Sequence, residues 1–184
     1  MNFPTIKKTG HGNKFNFHQY AKEVEHFVWP TAWGKIAGNP MQVNIAYEAV
    51  DRHVAEGFGD QCAMRFLRKD GSINEVSYLD LKARTSQFAN LLISLGLTKG
   101  DRVYGLAGRV PQLYIALLGT LKSGFVFTPL FSAFGPEPIR SRMEIGEATV
   151  LVTSEKLYKK KVAPWRDELK TLRHVFLFDI KNEC

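Results

Sequence analysis

Alternating strand-like and helix-like stretches between Lys99 and Arg142 predict the centre of the fold. A short apolar run, Val103 to Ala107, predicts a strand, and a helical segment opened by proline, Pro111 to Ser123, follows it. A second apolar strand, Phe125 to Leu130, leads to another proline-opened helix that begins near Pro136. This order of strand, helix, strand and helix with short loops is typical of a parallel sheet covered by helices.

The same alternation continues towards the C-terminus. Thr149 to Thr153 predicts a third apolar strand, and Ser154 is a suitable cap for a basic helix that runs to about Val162 and is stopped by Pro164. His174 to Ile180 predicts a fourth strand. Because no helix follows this strand, we expect the chain to stop in the middle of a sheet.

Turn and cap residues divide the region before this unit. Asn44 predicts the start of a helix that runs to about Glu56. The predicted inner face of this helix consists of Ile45, Ala49 and Val50.

A hairpin and a longer helix come next. Asp70–Gly71 lies between two strand-like runs, Gln61 to Leu67 and Ile73 to Val76, and this is a strong hairpin signal. Ser77 then predicts the cap of a helix from Tyr78 to Leu95. The apolar stripe of that helix consists of Leu81, Phe88, Leu91, Leu92 and Leu95.

Residues 1–43 do not follow this pattern. Gly, Asn, Lys, His and Pro interrupt the segment, and only Phe17 to Trp29 indicates a short helix. The segment is rich in aromatic residues, whereas disordered tails are poor in them. We therefore predict an extended aromatic arm over residues 1–43, anchored on the main body through Trp29 and Trp33, and an α/β body over residues 44–184.

Composition fits a globular protein and narrows the function classes. Of the 184 residues, 45% are hydrophobic and 23% are charged, as in ordinary soluble domains. No apolar run reaches the ~18 residues that a membrane span needs. The two cysteines, Cys62 and Cys184, provide neither a disulfide framework nor a metal cluster, and Cys62 is expected to be a small core residue of a strand. We therefore predict a cytoplasmic protein without a membrane partner or a metal site in this chain.

Positive charge is concentrated between Glu155 and Arg173. The basic residues of this segment are Lys156, Lys159, Lys160, Lys161, Arg166, Lys170 and Arg173, against three acidic ones. Such a cluster fits an anionic partner, or it is a solvated surface. The interleaved basic and aromatic pattern of RNA-recognition proteins is missing, so we predict no nucleic-acid partner.

Four stretches of the sequence together are similar to one enzyme family. They read NIAYEAVDRH from Asn44, VSYLDLKARTSQFANLLISLGLTKGDRV from Val76, PQLYIALLGTLKSG from Pro111 and PLFSAFGPEPIRSRMEIGEATVLVT from Pro129. In their order and spacing they resemble the N-terminal part of AMP-forming acetyl-CoA synthetases and related acyl-CoA synthetases of the adenylate-forming superfamily. The resemblance implies the α/β N-terminal subdomain of that fold, a parallel-dominated sheet with flanking helices plus a β-hairpin.

The resemblance also implies a ligase activity. Members of the family activate a carboxylic acid with ATP, which gives an acyl-adenylate and pyrophosphate, and then transfer the acyl group to the thiol of CoA, with magnesium (Mg) at the phosphates. The stretch from Asn44 and the aromatic arm before it resemble the short-chain branch, so acetate or propionate is the expected acid. The expected partners are therefore small molecules, namely a short-chain carboxylate, ATP and CoA, and the rest of the protein's own chain.

The phosphate-binding loop of this family is missing from the sequence. In the family that loop is rich in Ser, Thr and Gly, ends in Lys and supplies N–H groups to the ATP phosphates. The most similar turn here, Gly135–Glu137, places an acid where a cation is needed. The downstream adenine, ribose and magnesium motifs and the C-terminal domain with its catalytic lysine are not present either. We therefore expect residues 44–184 to be an incomplete AMP-binding domain, inactive alone and without a catalytic residue.

The resemblance carries CoA-contact positions over to this chain. Ala133 falls on a small position before the turn Phe134–Glu137, and Lys159 falls on a basic position after the third strand. A second basic position falls near Lys161 or Val162. The family favours arginine at both basic positions, and lysine supplies charge to a phosphate but not the two-pronged geometry of arginine. A solvated helix face is the alternative interpretation of these lysines.

Other polar residues are expected to have structural roles. Arg142, on the helix opened by Pro136, is expected to form an ion pair with a neighbouring acid. Asp51 and His53 are two positions apart on a helix and do not face each other, so we expect packing on the helix surface and not an acid–base pair.

Two other functions stay open at this point. A stand-alone CoA or nucleotide-binding module would use Lys159 to Lys161 without chemistry. A fatty-acid or aryl-acid CoA ligase of the same superfamily would share this part of the chain, because the resemblance places the acid pocket beyond residue 184.

Overall fold

The protein consists of two units according to its internal contacts, Met1–Met41 and Gln42–Cys184. This computed structural model describes residues 20–37, 40–68 and 70–179. The described helices of the first unit are α1 (Tyr20–His26) and α2 (Trp29–Trp33). The single helix predicted from Phe17 to Trp29 is therefore interrupted after His26, and a new helix begins at Trp29 with Pro30 in its first turn. The start of the predicted helix lies outside the described residues, and the anchoring of the arm on the main body stays a prediction.

The second unit contains the predicted strands and long helices. Its strands are β1 (Cys62–Leu67), β2 (Ile73–Ser77), β3 (Arg102–Ala107), β4 (Val126–Phe131), β5 (Val150–Thr153) and β6 (His174–Leu177). Its α-helices are α3 (Arg52–Ala55), α4 (Tyr78–Ser94), α5 (Pro111–Lys122), α6 (Pro136–Ile145) and α7 (Glu155–Lys161). Shorter segments of this unit are π-helical at Tyr47–Asp51 and 3₁₀-helical at Ala163–Glu168, and a further 3₁₀-helical segment, Pro40–Gln42, includes the last two residues of the first unit. Within the described ranges, every helix is too short or too polar to cross a bilayer.

The four-stranded sheet is parallel, with the strand order β4-β3-β5-β6. Val103 of β3 lies opposite Phe127 of β4 on one side and opposite Val150 of β5 on the other. Strands β1 and β2 pair separately as an antiparallel hairpin. This arrangement confirms the predicted parallel sheet with a β-hairpin.

Helices cover both faces of the sheet. Successive side chains of a strand point to opposite faces, so an apolar strand of a parallel sheet has two faces to bury. One face packs against α4 and α5 through Val103, Val150, Val152, Leu92 and Ala116. The other face packs against α6 through Tyr104, Leu106, Leu151, Ile139 and Met143. Strands β3 and β5 contribute to both layers and form the centre of the core.

Helices α4 and α5 approach each other closely at Gly119. A Cβ atom at this position would lie 2.8 Å from the backbone carbonyl oxygen of Thr85 in α4. Thr85 is fully buried, so its helix has no free space into which to move. The missing side chain of Gly119 therefore sets the spacing of the two helices that cover one face of the sheet.

The helix that follows Asn44 begins as predicted, but only Val50 of its predicted inner face is buried. The Asn44 side chain accepts N–H groups of the first turn and donates to carbonyl oxygens at the end of α5. Ile45 is 62% exposed and Ala49 is exposed, whereas Ala46 and Val50 are buried. The start of the helix is anchored by Asn44, and a wider π-helical turn follows it. Together they bury Ala46 and Val50, which are four residues apart, against the rest of the second unit.

Two other residues predicted to be buried are exposed. Cys62 is exposed, and its Sγ donates to the Met64 carbonyl oxygen at 3.4 Å. The pairing register is irregular between these two residues, so Cys62 does not follow the in–out alternation of β1. In α4, Leu81 and Leu92 are buried as predicted, but Leu91 is 40% exposed.

Candidate functional site

All four parallel strands end at the same edge of the sheet, which we call the carboxyl edge. It consists of the residues that directly follow the strands, namely 108–110, 132–135, 154 and 178–179. The chain leaves β3 through α5 on one face towards β4 and leaves β5 through α7 on the other face towards β6, so the connections diverge between β3 and β5. In open α/β sheets, ligands bind in the crevice that forms at such a point.

A cleft of about 630 Å³ lies at this point of divergence. It is bounded by residues 108–112 after β3, by Ser154 after β5, by Asp179 after β6 and by the β1–β2 hairpin. Arg109 lines the cleft and has no carboxylate at ion-pair distance in the part of the chain that the structure describes. The Asp179 carboxylate, in contrast, accepts the N–H of Glu155 at 2.7 Å at the start of α7. The cleft therefore contains a cation whose charge is not neutralised by a neighbour.

A second cleft, of about 440 Å³, is also lined by Arg109. Its walls come from the ends of β3 and β4 and from Leu113 of α5, and they are mostly apolar. Arg109 is not among the site residues predicted from the sequence. The available signal was a basic residue that follows a buried strand and precedes the proline that opens a helix.

The residues after β4 form a tight turn, closed by a hydrogen bond of 3.0 Å from the Phe134 N–H to the Phe131 carbonyl oxygen. Lys161 of α7 reaches this turn. Its ammonium donates to the carbonyl oxygens of Ser132 and Phe134 at 2.6 and 2.5 Å. Ala133, between these two residues, is exposed. The structure therefore brings Ala133 and Lys161, two of the three predicted site residues, to one turn.

Lys159 lies on the same helix but in a different environment. Helix α7 begins at Ser154, whose Oγ accepts the N–H of Leu157 at 3.3 Å, as the predicted cap requires. The Lys159 side chain is 71% exposed and pairs with Glu155 at 2.5 Å. Lys161 is 9% exposed, because two positions along a helix are about 200° apart and point in different directions. Lys159 is therefore accessible to a ligand in solution, whereas Lys161 faces the protein.

Aromatic and cationic groups support the turn from another side. The Arg142 guanidinium lies 4.6 Å from the centroid of the Phe134 ring, and it donates to the Pro138 carbonyl oxygen at 2.9 Å. The Phe134 ring meets the Phe131 ring edge-on, with centroids 5.3 Å apart. The predicted ion pair of Arg142 is wrong for the described residues, because the guanidinium instead contacts an aromatic face and a carbonyl of its own helix.

Asp51 and His53 have structural roles, as predicted. The Asp51 carboxylate pairs with Lys122 of α5 at 2.7 Å. The His53 ring stacks on Tyr78, with centroids 4.6 Å apart and an interplanar angle of 4°. Among the described residues, no group of three or more His, Cys, Asp or Glu side chains is arranged to hold a metal ion.

Comparison with known proteins identifies relatives of this architecture. Residues 51–183 match the family described as AMP-binding enzyme. The acetyl-coenzyme A synthetase of Bacillus subtilis (strain 168) is 32% identical over 164 residues, which cover 88% of this chain and 28% of that protein. The crystal structure of Brucella canis acyl-CoA synthetase matches with a TM-score of 0.74 and 29% identity, over 90% of this chain and 30% of that chain. The acetoacetyl-CoA synthetase from Streptomyces lividans matches with a TM-score of 0.66 and 28% identity, over 76% of this chain and 23% of that chain.

The family match spans all six strands and both clefts of the second unit. The chain itself spans 28% of the length of the Bacillus subtilis relative. Sequence and fold agree in this assignment, and the chain belongs to the AMP-binding enzyme family.

Proposed function

We propose that this chain forms part of an acyl-CoA synthetase that activates a short-chain carboxylic acid with ATP and transfers the acyl group to CoA. The observation that carries the proposal is the 32% identity with a bacterial acetyl-coenzyme A synthetase over 88% of the chain. The solved structures of an acyl-CoA synthetase and an acetoacetyl-CoA synthetase support the same class of ligase. A cytoplasmic location is part of this proposal.

The proposed reaction has two steps. A carboxylate oxygen of the acid attacks the α-phosphorus of ATP, pyrophosphate leaves, and an acyl-adenylate forms. The CoA thiol then loses its proton and attacks the acyl carbon, and AMP leaves with the electron pair of the broken bond. We assign binding and orientation of substrates to this chain, and no catalytic residue.

We assign the nucleotide part of CoA to the carboxyl edge, against the turn after β4 and helix α7. Lys159 supplies an exposed ammonium for a CoA phosphate, and its surface ion pair with Glu155 is weak enough to be exchanged for that phosphate. Ala133 is exposed and has a side chain of one methyl group, so a ligand can approach the backbone there. Lys161 belongs to the same site through its hydrogen bonds to the turn.

Magnesium does not fit the described residues of this chain. A magnesium ion takes oxygen ligands in octahedral geometry, and the described residues contain no cluster of three potential metal-binding side chains. This chain spans 28% of the length of the Bacillus subtilis relative, and we therefore propose that parts of the protein outside this span bind the ATP phosphates and the metal. On this proposal the 184-residue chain alone should not form an adenylate.

A stand-alone CoA or nucleotide-binding module is the second candidate function. It is supported by cations at the carboxyl edge, Lys159 and Arg109, which can bind an anion without any chemistry. A fatty-acid or aryl-acid CoA ligase of the same family would bind CoA in the same way and would differ in the acid pocket, for which we propose no residues.

Titration of CoA into the 184-residue chain by calorimetry tests the CoA site. Lys159→Glu replaces attraction of a phosphate by repulsion, so we expect it to weaken CoA binding about tenfold or more. Lys99→Glu makes the same charge change at the exposed turn before β3 and is the matched control. It should keep the affinity within about twofold, because screening removes distant surface charges. Equal affinity in Lys159→Glu and the unchanged chain would contradict the assignment.

Release of pyrophosphate separates the candidate functions. In the protein that contains this chain together with its ATP-binding residues, acetate or propionate should drive release, and the 184-residue chain alone should release none. Release only with long-chain or aromatic acids would favour the other type of ligase. CoA binding without release of pyrophosphate in the presence of any of these acids would favour the binding module.

A further inference from the structure

Lys161 is buried beneath the turn that follows β4. It is 9% exposed, whereas the other three lysines of α7, at positions 156, 159 and 160, are not buried. Its ammonium donates to the carbonyl oxygens of Ser132 and Phe134, at 2.6 and 2.5 Å. Removal of an ammonium from water is costly unless its N–H groups find acceptors. These two carbonyls supply the acceptors, so burial of Lys161 and the shape of the turn depend on each other.

The two hydrogen bonds fix the residues on both sides of Ala133. Both carbonyl oxygens are held towards α7, and the N–H of Phe134 is held by the Phe131 carbonyl oxygen at 3.0 Å. Ala133 is left at the exposed side of the turn. A single side chain from α7 thus fixes the backbone on which the proposed CoA contact depends.

The charge of Lys161 is not neutralised by an acid. Over the described ranges no carboxylate forms an ion pair with its ammonium, and the two carbonyls contribute dipoles only. Low-dielectric surroundings strengthen the field of such a charge. A positive potential directly behind Ala133 favours an anionic ligand on the exposed side of the turn.

We propose that Lys161 is a positioning residue for CoA: it holds the turn after β4 in the form that accepts the nucleotide, while Lys159 contacts a phosphate directly. This proposal rests on the proposed CoA site. It assigns to Lys161 a role different from the direct phosphate contact that the sequence suggested. The two lysines of one short helix therefore serve the same ligand in different ways.

Hydrogen exchange measured by NMR on the 184-residue chain tests the action on the turn. Lys161→Met keeps most of the side-chain volume and removes the donors, so the Phe134 amide should exchange about tenfold faster or more. The amide of Met143 in α6 should be unchanged, since a general loss of stability would move both amides together. Lys160→Met, at the exposed neighbouring position, is the matched control and should change neither amide.

CoA titration into the same variants tests the positioning of the ligand. Lys161→Met should weaken CoA binding about tenfold, and Lys161→Arg should recover most of the loss, because a guanidinium also donates to two carbonyls. Lys160→Met should stay within about twofold of the unchanged chain. Lys161→Met should weaken the binding of dephospho-CoA by the same factor as the binding of CoA, because the turn contacts the nucleotide and not one particular phosphate.

The outcomes separate this inference from the proposed function. If the unchanged chain binds CoA and Lys161→Met binds it equally well, the positioning role is overturned and the CoA site stands. If CoA causes no chemical-shift change at Ala133 in the unchanged chain, the CoA site and the positioning role both fail. Should Lys161→Met not fold, the ammonium signal of the unchanged chain decides: scalar couplings from its Nζ to the carbonyl carbons of Ser132 and Phe134 support the contact, and a freely exchanging ammonium overturns it.

Discussion

The edge of the sheet at which the four parallel strands begin, which we call the amino edge, contains Asp101 just before β3. The Asp101 carboxylate accepts the Thr98 N–H at 2.7 Å and the Thr149 hydroxyl at 3.3 Å. It also pairs with Arg173 at 3.1 Å. Thr149 precedes β5 and Arg173 precedes β6, so one carboxylate connects the starts of three neighbouring strands. At the carboxyl edge, in contrast, Lys161 bonds to backbone carbonyls.

The two edges therefore use charge for different purposes. At the amino edge the charge of Asp101 is neutralised within the protein, and its energy contributes to the stability of the sheet. At the carboxyl edge Lys159 forms an exposed ion pair with Glu155, whereas Arg109 and Lys161 have no acidic partner at ion-pair distance among the described residues. That edge keeps an attraction for an anion from solution, at some cost in stability.

The largest effect should come from Asp101→Ala. The change removes a carboxylate whose side chain is only 15% exposed, and it leaves the Thr98 N–H and the Arg173 guanidinium without their common acceptor. We expect the free energy of unfolding to fall by about 2–3 kcal/mol, measured by urea denaturation. CoA affinity of the folded fraction should not change, because the site lies at the opposite edge.

Asp60→Ala is the control for this prediction. Asp60 is an exposed carboxylate outside the amino-edge network. Its removal should change the free energy of unfolding by less than about 0.5 kcal/mol. A similar loss in both variants would show that net charge, and not the network, is responsible.

The contribution of Asp101 and its partners should also be visible in the pH dependence of the free energy of unfolding. Burial alone raises the pKa of Asp101, but the Thr98 N–H, the Arg173 charge and the hydroxyls of Thr98 and Thr149 outweigh it, so the pKa lies below the ordinary value of 3.8. A depressed carboxyl pKa contributes stability that is present above 3.8 and is lost as the pH falls through the folded-state pKa. The stability difference between the unchanged chain and Asp101→Asn should therefore be constant near neutral pH and shrink below about pH 4. A difference that does not depend on pH would contradict this assignment.

Local signals predicted most of the fold. Ser77 and Ser154 cap their helices as expected, because each hydroxyl accepts an N–H only three residues ahead. The parallel sheet followed from the alternation of strands and helices. The predicted burial of Ile45 was wrong because the anchored start of its helix shifts the buried positions. The predicted burial of Cys62 was wrong because the register of its strand is irregular. Neither feature can be read from the spacing of apolar residues.

The candidate site was less predictable, because its contacts are distant in sequence. Nothing in the run of three lysines distinguishes the exposed Lys159 from the buried Lys161. The partners of Lys161 are carbonyls 29 and 27 residues earlier in the chain, and backbone carbonyls carry no sequence signature. Arg109 was missed for a similar reason, since the meaning of its position depends on the order of strands in the sheet.

Loss of the aromatic contacts that support the turn after β4 should lower the free energy of unfolding moderately. Phe134→Leu removes the contact with the Arg142 guanidinium and the edge-on contact with Phe131. We expect a loss of about 1 kcal/mol in the free energy of unfolding, together with a CoA affinity lowered a few-fold. Phe131→Leu removes only the edge-on contact, so it should cost about half as much. An equal loss in both variants would exclude a contribution from Arg142.

The smallest effect on stability should come from Lys159→Met. Its ion pair with Glu155 is exposed and joins positions four apart on one short helix, so its loss should change the free energy of unfolding by less than about 0.5 kcal/mol. CoA binding should nevertheless weaken about tenfold, because a direct charge-assisted contact is removed. This is the reverse of Asp101→Ala, which lowers stability and leaves binding intact. A loss of stability in Lys159→Met as large as that in Asp101→Ala would mean that ion pairs at both edges hold the fold together, and the distinction between the edges would be lost.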